Sequence, residues 1–143
     1  MDLEKELGAN GAASAQRFSL YIPDKDRHGK PVPYREDWIA AAMRLFADIN
    51  QGATRLPTAQ GIWDPAGPEP PAPEATDVVY SFIFDAERFE ANLKRLAVFI
   101  HSFGKHADQH TVMCEFSGEV PGRGFVSRAY FISDYRMAGE KPF

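Results

Sequence analysis

Apolar residues in this chain recur at two alternating periods, every second position in some runs and every third or fourth in others. In RFSLYIP, Phe18, Leu20 and Ile22 point one way and Arg17, Ser19 and Tyr21 the other, which is the period of a strand, and Pro23 closes it. YREDWIAAAMRLFADIN instead gathers Trp38, Ala42, Leu45, Phe46 and Ile49 into one helical stripe. Glu36 and Asp37 in its first turn suit the positive end of the helix dipole, and Asn50 with Gly52 behind it supplies a stop. GATRLPTAQGIWD reads as an irregular strand. Pro57 has no amide proton for the ladder and Gly61 no side chain to pack, so an edge position or a bulge is expected.

TDVVYSFIF is apolar on both faces, with Val78, Tyr80, Phe82 and Phe84 opposite Val79, Ser81 and Ile83, as suits a central strand. Asp85 is placed to cap a second helix, AERFEANLKRLAVFIHSF. Its stripe is Phe89, Leu93, Leu96, Ala97, Ile100 and Phe103, and Gly104 is the expected stop. HTVMCEFSGEV and FVSRAYFIS, joined by PGRG, read as a last pair of strands.

The order β-α-β-β-α-β with one strand added predicts an α+β, ferredoxin-like sandwich: an antiparallel sheet, two helices on one face, and an extra C-terminal strand. Residues 17–134 form a single domain in this reading, preceded by a flexible segment at 1–16 and followed by a tail at 135–143. The proline-rich stretch at 64–77 is an exposed loop within the domain, because neither flank alone is long enough to close a core. LYIP followed by a charged turn, GATRLPTAQGIW, and a helix running into a strand resemble small uncharacterised bacterial proteins of ferredoxin-like type, over roughly Phe18 to Phe116. The resemblance implies the same fold and brings no activity with it.

Composition narrows the partners. At 143 residues, with 44% hydrophobic and 25% charged residues, the chain is one domain with enough apolar material for a core. A net charge of −4 argues against wholesale contact with a phosphate backbone, so nucleic acid is not an expected partner. The lone Cys114 cannot form an internal disulfide. The N-terminus lacks the apolar core of a secretory signal, and no apolar run nears the roughly 20 residues that span a bilayer. A cytoplasmic location without a membrane partner is expected.

The densest candidate chemistry is HSFGKHADQHTVMCEF, residues 101–116. Zinc needs three or four ligands at about 2.0–2.3 Å. His106 and His110 would converge on a helical turn, but Gly104 is expected to end the helix before them. His110 and Cys114, on one strand face, would stand about 13 Å apart, which leaves Cys114 as a core residue. His101 suits the carbonyl end of a helix as a cation, and Asp108 suits a turn. No catalytic residue, metal ligand or cofactor is therefore assigned. Asp24, Asp26 and His28 lack the longer acidic pattern of a calcium loop, and PGRG sits between strands, away from any helix N-terminus that would hold phosphate.

Eleven phenylalanines, two tryptophans and five tyrosines are generous for a sheet covered on one side, and a bare apolar face needs a cover. The reading that follows is a non-enzymatic interaction, regulatory or inhibitory module. It would dimerise or dock on another protein through its open sheet face and proline-rich loop, with Trp63, Tyr80, Phe82 and Tyr130 as binding residues. The alternative is a metal- or histidine-dependent hydrolase or nuclease. It would use His101, His106 and His110 as catalytic groups, or His106, Asp108 and His110 as metal ligands.

Overall fold

The computed structural model describes residues 1–11, 14–63, 68 and 72–143, with the backbone alone at Thr58, Trp63 and Ala72. Strands β1 (Gln16–Pro23), β2 (Thr54–Trp63), β3 (Ala72–Phe82), β4 (Val112–Val120) and β5 (Gly124–Ile132) alternate with helices α1 (Leu3–Leu7), α2 (Arg35–Asn50), α3 (Ala86–Ala91) and α4 (Leu93–His106). The strands form one open sheet in the order β2-β3-β1-β4-β5, and every neighbouring pair is antiparallel. The α+β class and the antiparallel sheet are those the periodicity predicts, and the arrangement is compatible with a ferredoxin-like sandwich.

One face of the sheet carries the core. Phe18, Leu20 and Ile22 of β1, Val79 of β3, and Val112 and Cys114 of β4 meet Trp38, Phe46, Phe99 and Phe103 of the helices in a single buried cluster. The Trp38 indole sits edge-on to Phe99 and Phe103 at 5.7 and 5.4 Å, a favoured aromatic geometry. β2 lies at the sheet edge, and its register shifts between Leu56 and Ala59, around Pro57. Both expectations for that proline therefore hold in one strand. Asp85 caps α3, accepting from the Arg88 amide at 3.1 Å.

Two boundaries differ from the sequence reading. Ala72–Ala75, expected only within the exposed loop, open β3 ahead of Thr76 and Asp77, which begin the expected strand and are buried; residues 64–67 and 69–71 lie outside the described residues. The cause is an ion network that composition does not reveal. Asp77 receives Arg35 at 3.0 Å and Arg55 at 2.5 Å, while Arg55 also grips both oxygens of Glu36 at 2.8 Å. The Arg55 guanidinium holds the Glu36 carboxyl below its ordinary range, and Arg55 is itself pushed upward. These pairs tie α2, β2 and β3 together.

The second helix is also not one piece. It breaks at Asn92, and Leu93, placed on the buried stripe by spacing, is exposed. Gly104 does not stop it: α4 runs on to His106. A Cβ at Gly104 would lie 2.1 Å from the Tyr135 ring, so glycine is there for close packing. Residues 135–143 lie as a strap along α4. Tyr135 donates to the Gln109 carbonyl at 2.7 Å, the Met137 amide to His101 Nδ1 at 3.0 Å, and the Gly139 amide to Ser102 Oγ at 2.8 Å. Phe143 ends 5.1 Å from the Trp38 ring. At the other end, α1 is capped by Asp2 and wholly exposed. Among the described residues no helix is long and apolar enough to cross a membrane.

Asp77→Ala takes the buried carboxylate from both Arg35 and Arg55, leaving Arg35 without a carboxylate partner and Arg55 with Glu36 alone, and is expected to cost about 3–5 kcal/mol in denaturant unfolding. Gly104→Ala drives the Tyr135 ring out of place, at an expected cost of about 1–3 kcal/mol. At Gly139 the nearest atom to a new Cβ is 3.5 Å away, so Gly139→Ala should stay within about 0.5 kcal/mol of the parent. Equal effects at the two glycines would contradict the packing given to Gly104.

Candidate functional site

The alternation that buries Phe18, Leu20 and Ile22 turns Arg17, Ser19 and Tyr21 to the opposite face, which no described helix covers. The register then assembles a row from four strands. Thr54 pairs with Tyr80, Tyr80 with Ser19, and Ser19 with Glu115. The neighbouring row reads Phe82, Arg17, Ser117. Directly opposed side chains on one face stand about 4.5–5.5 Å apart and diagonal ones about 7–8 Å. Tyr21, Tyr80, Glu115 and Arg17 therefore surround Ser19, which is only 4% exposed although it faces outward.

Contacts organise this cluster. The Tyr21 hydroxyl donates to Glu115 Oε1 in a short hydrogen bond. Burial, then the Glu115 carboxylate, pushes the Tyr21 phenol up to about 12, so it remains a donor at neutral pH. The Arg17 guanidinium lies over the Tyr80 ring, 5.2 Å from its centre, within cation–π reach. Tyr80 and Phe82 meet edge to face at 5.9 Å, and Phe84 continues the aromatic line 6.5 Å from Phe82. A carboxylate fixed by a phenol, a face of rings and a guanidinium with no carboxylate partner among the described residues suit a ligand that is flat, partly apolar and of mixed charge.

The residues singled out from sequence fall in different places. Tyr80 and Phe82 lie on the open face. Tyr130 pairs with Cys114, so its position belongs to the helix-facing side, and it is exposed there. The Trp63 backbone pairs with Ala72 at the end of β2; its side chain lies outside the described residues.

The histidines do not converge. His101 is buried and accepts the Met137 amide through Nδ1; burial, with Arg136 nearby and Asp134 opposing, lowers its pKa. His106 Nε2 is 2.8 Å from the Gly139 carbonyl, and its ring stacks on Trp38. His110 is exposed beside Thr111. Asp108 pairs with Arg27 at 2.8 Å and His28 at 3.5 Å. Two of these histidines thus fasten the C-terminal strap, and among the described residues no three His, Cys, Asp or Glu side chains are gathered to hold a metal ion. Burial raises the Cys114 thiol to about 11. Asp26 accepts the His28 and Lys30 amides at 2.8 and 2.9 Å, a turn-forming use.

Tyr21, Glu115, Arg17 and Ser19 were not candidates from sequence. Each is the outward member of an alternating run, and only the pairing of β1 with β3 and β4 brings them together.

No family model and no curated protein matches the chain. Among solved structures it is similar to a phage SAM lyase in its apo state, with a TM-score of 0.56 and 14% identity over 86% of this chain and 92% of that one. It is likewise similar to a phage SAM lyase in complex with S-methyl-5'-thioadenosine, with a TM-score of 0.55 and 13% identity over 87% and 94%. The shared fold is one that an enzyme uses along nearly its whole length. That likeness corrects the expected non-enzymatic interaction module, and the histidines named for the hydrolase alternative stand apart from one another.

Tyr21 and Tyr135 are both raised from 10 to about 12, with burial the largest cause. Folding therefore favours the neutral phenols: their contribution to stability is complete below pH 10 and is lost as pH climbs from 10 to about 12. An alkaline titration followed by tyrosinate absorbance should show two late phenols, and Tyr21→Phe should remove one of them. Two late phenols persisting in that variant would refute the assignment.

Proposed function

We propose that this chain is a lyase of ferredoxin-like topology that binds S-adenosylmethionine on the open face of its sheet and releases S-methyl-5'-thioadenosine. The observation that carries the reading is the row Tyr80–Ser19–Glu115, with Tyr21 holding Glu115 and Phe82 beside Tyr80. The likeness in fold to a phage SAM lyase supports it.

An adenosyl sulfonium presents a flat base, a cationic sulfur and an amino-acid end. Rings bind both of the first two, by stacking on the base and by cation–π attraction to the sulfonium. Glu115 supplies the anion that a cationic ligand meets, and the Tyr21 donor fixes its direction while leaving its second oxygen free of that bond. As an oxygen of the substrate's own carboxylate attacks the carbon bonded to sulfur, a C–O bond forms and the C–S bond breaks. The C–S electron pair goes to sulfur, the amino-acid chain leaves as a lactone, and the cation becomes a neutral thioether. Positive charge is therefore lost on the way to the transition state. A ring-lined surface that sheds water favours that loss over the fully charged ground state.

The test is incubation of the purified protein with S-adenosylmethionine and chromatographic detection of S-methyl-5'-thioadenosine. Glu115→Gln preserves shape and removes the charge, and is expected to lower kcat/KM by about 100-fold or more. Tyr80→Ala, which removes the stacking face, should lower it by about 10-fold or more through KM. Wild-type protein that neither binds nor cleaves the sulfonium would sink the proposal.

A further inference from the structure

We infer that Arg17 and Glu115 form a clamp for the amino-acid end of the substrate, Arg17 taking the α-carboxylate and Glu115 the α-ammonium; the inference rests on the proposed lyase reading. Three strand residues are Arg or Lys: Arg17, Arg55 and Arg128. Arg55 pairs with Val79 and Arg128 with Phe116, so both occupy helix-facing positions, and Arg55 is already committed to Glu36 and Asp77. Arg17 alone of the three stands on the open face.

Its surroundings leave it available. Among the described residues Arg17 makes no ion pair; its guanidinium rests on the Tyr80 ring. A guanidinium stacked this way keeps its edge donors free, and those donors match a carboxylate in a two-pronged geometry. Arg17 pairs with Ser117, and Ser19, two residues on, pairs with Glu115. Arg17 and Glu115 are therefore diagonal neighbours on one face, about 7–8 Å apart at their roots. Neither neutralises the other in an observed contact, and the gap suits a zwitterion whose two charged groups share one carbon. The remainder of the substrate then extends over Ser19 toward the Tyr80 and Phe82 rings.

The clamp makes a prediction that the lyase reading alone does not. S-methyl-5'-thioadenosine has no amino-acid end, and decarboxylated S-adenosylmethionine keeps the sulfonium and the ammonium but lacks the carboxylate. Binding of all three molecules is measured by calorimetry on wild type, Arg17→Gln and Arg17→Lys, with Glu115→Gln in parallel, and the fold of each variant is checked by circular dichroism. Arg17→Gln is expected to weaken S-adenosylmethionine by about 10- to 100-fold, with the loss in KM before kcat, and Arg17→Lys to recover part of it. The same change should leave S-methyl-5'-thioadenosine and the decarboxylated analogue within about twofold.

Glu115→Gln should weaken both ammonium-bearing molecules and spare S-methyl-5'-thioadenosine. If Arg17→Gln weakens none of the three, or all three equally, the clamp is wrong while the lyase reading stands. If wild type binds none of them, both fall together.

Discussion

The rest of the molecule depends on the two-residue period of its middle strand. β1 is hydrogen-bonded to β3 on one side and to β4 on the other, so each of its side chains is surrounded by neighbours on one face or the other. Phe18, Leu20 and Ile22 give the helices a surface to bury, each about 7% exposed or less. Arg17, Ser19 and Tyr21, interleaved with them, are thereby committed to the other face. Core and candidate site are two readings of the same eight residues, and a slip of one residue would exchange them.

Polar networks fasten the parts that hydrophobic contact leaves loose. Asp77 between Arg35 and Arg55 locks the edge hairpin to α2. Along α4, His101, Ser102 and His106 catch the backbone of the C-terminal strap. Both arrangements leave the open face untouched. A sheet face can carry a polar, aromatic cluster when the opposite face alone closes the core and the loose segments are secured elsewhere.

The chemistry proposed for that face follows from its mixture of groups. A carboxylate held by a phenol, a stacked guanidinium and adjoining rings suit a ligand that is cationic, flat and zwitterionic at one end. The histidine-rich segment is dense in versatile residue types, yet in the fold His101 and His106 serve as hydrogen-bond partners for the strap and His110 stands apart beside Thr111. Residue type nominates chemistry; position decides it.

The sequence by itself determined the class of the fold. Alternation in RFSLYIP and TDVVYSFIF, the stripe in YREDWIAAAMRLFADIN, the cap at Asp85 and the interruption at Pro57 are local properties of backbone and side chain, legible without knowing any neighbour. The extent of β3 was not legible, because the ion pairs that bury Asp77 come from residues 22 and 42 positions away. Gly104 misled for a related reason: its purpose is the Tyr135 ring, 31 residues later in the numbering. The candidate site was invisible in the same way. Arg17, Tyr21, Tyr80 and Glu115 are ordinary outward residues along their own strands, and strand order and register, which long-range burial selects, made them neighbours.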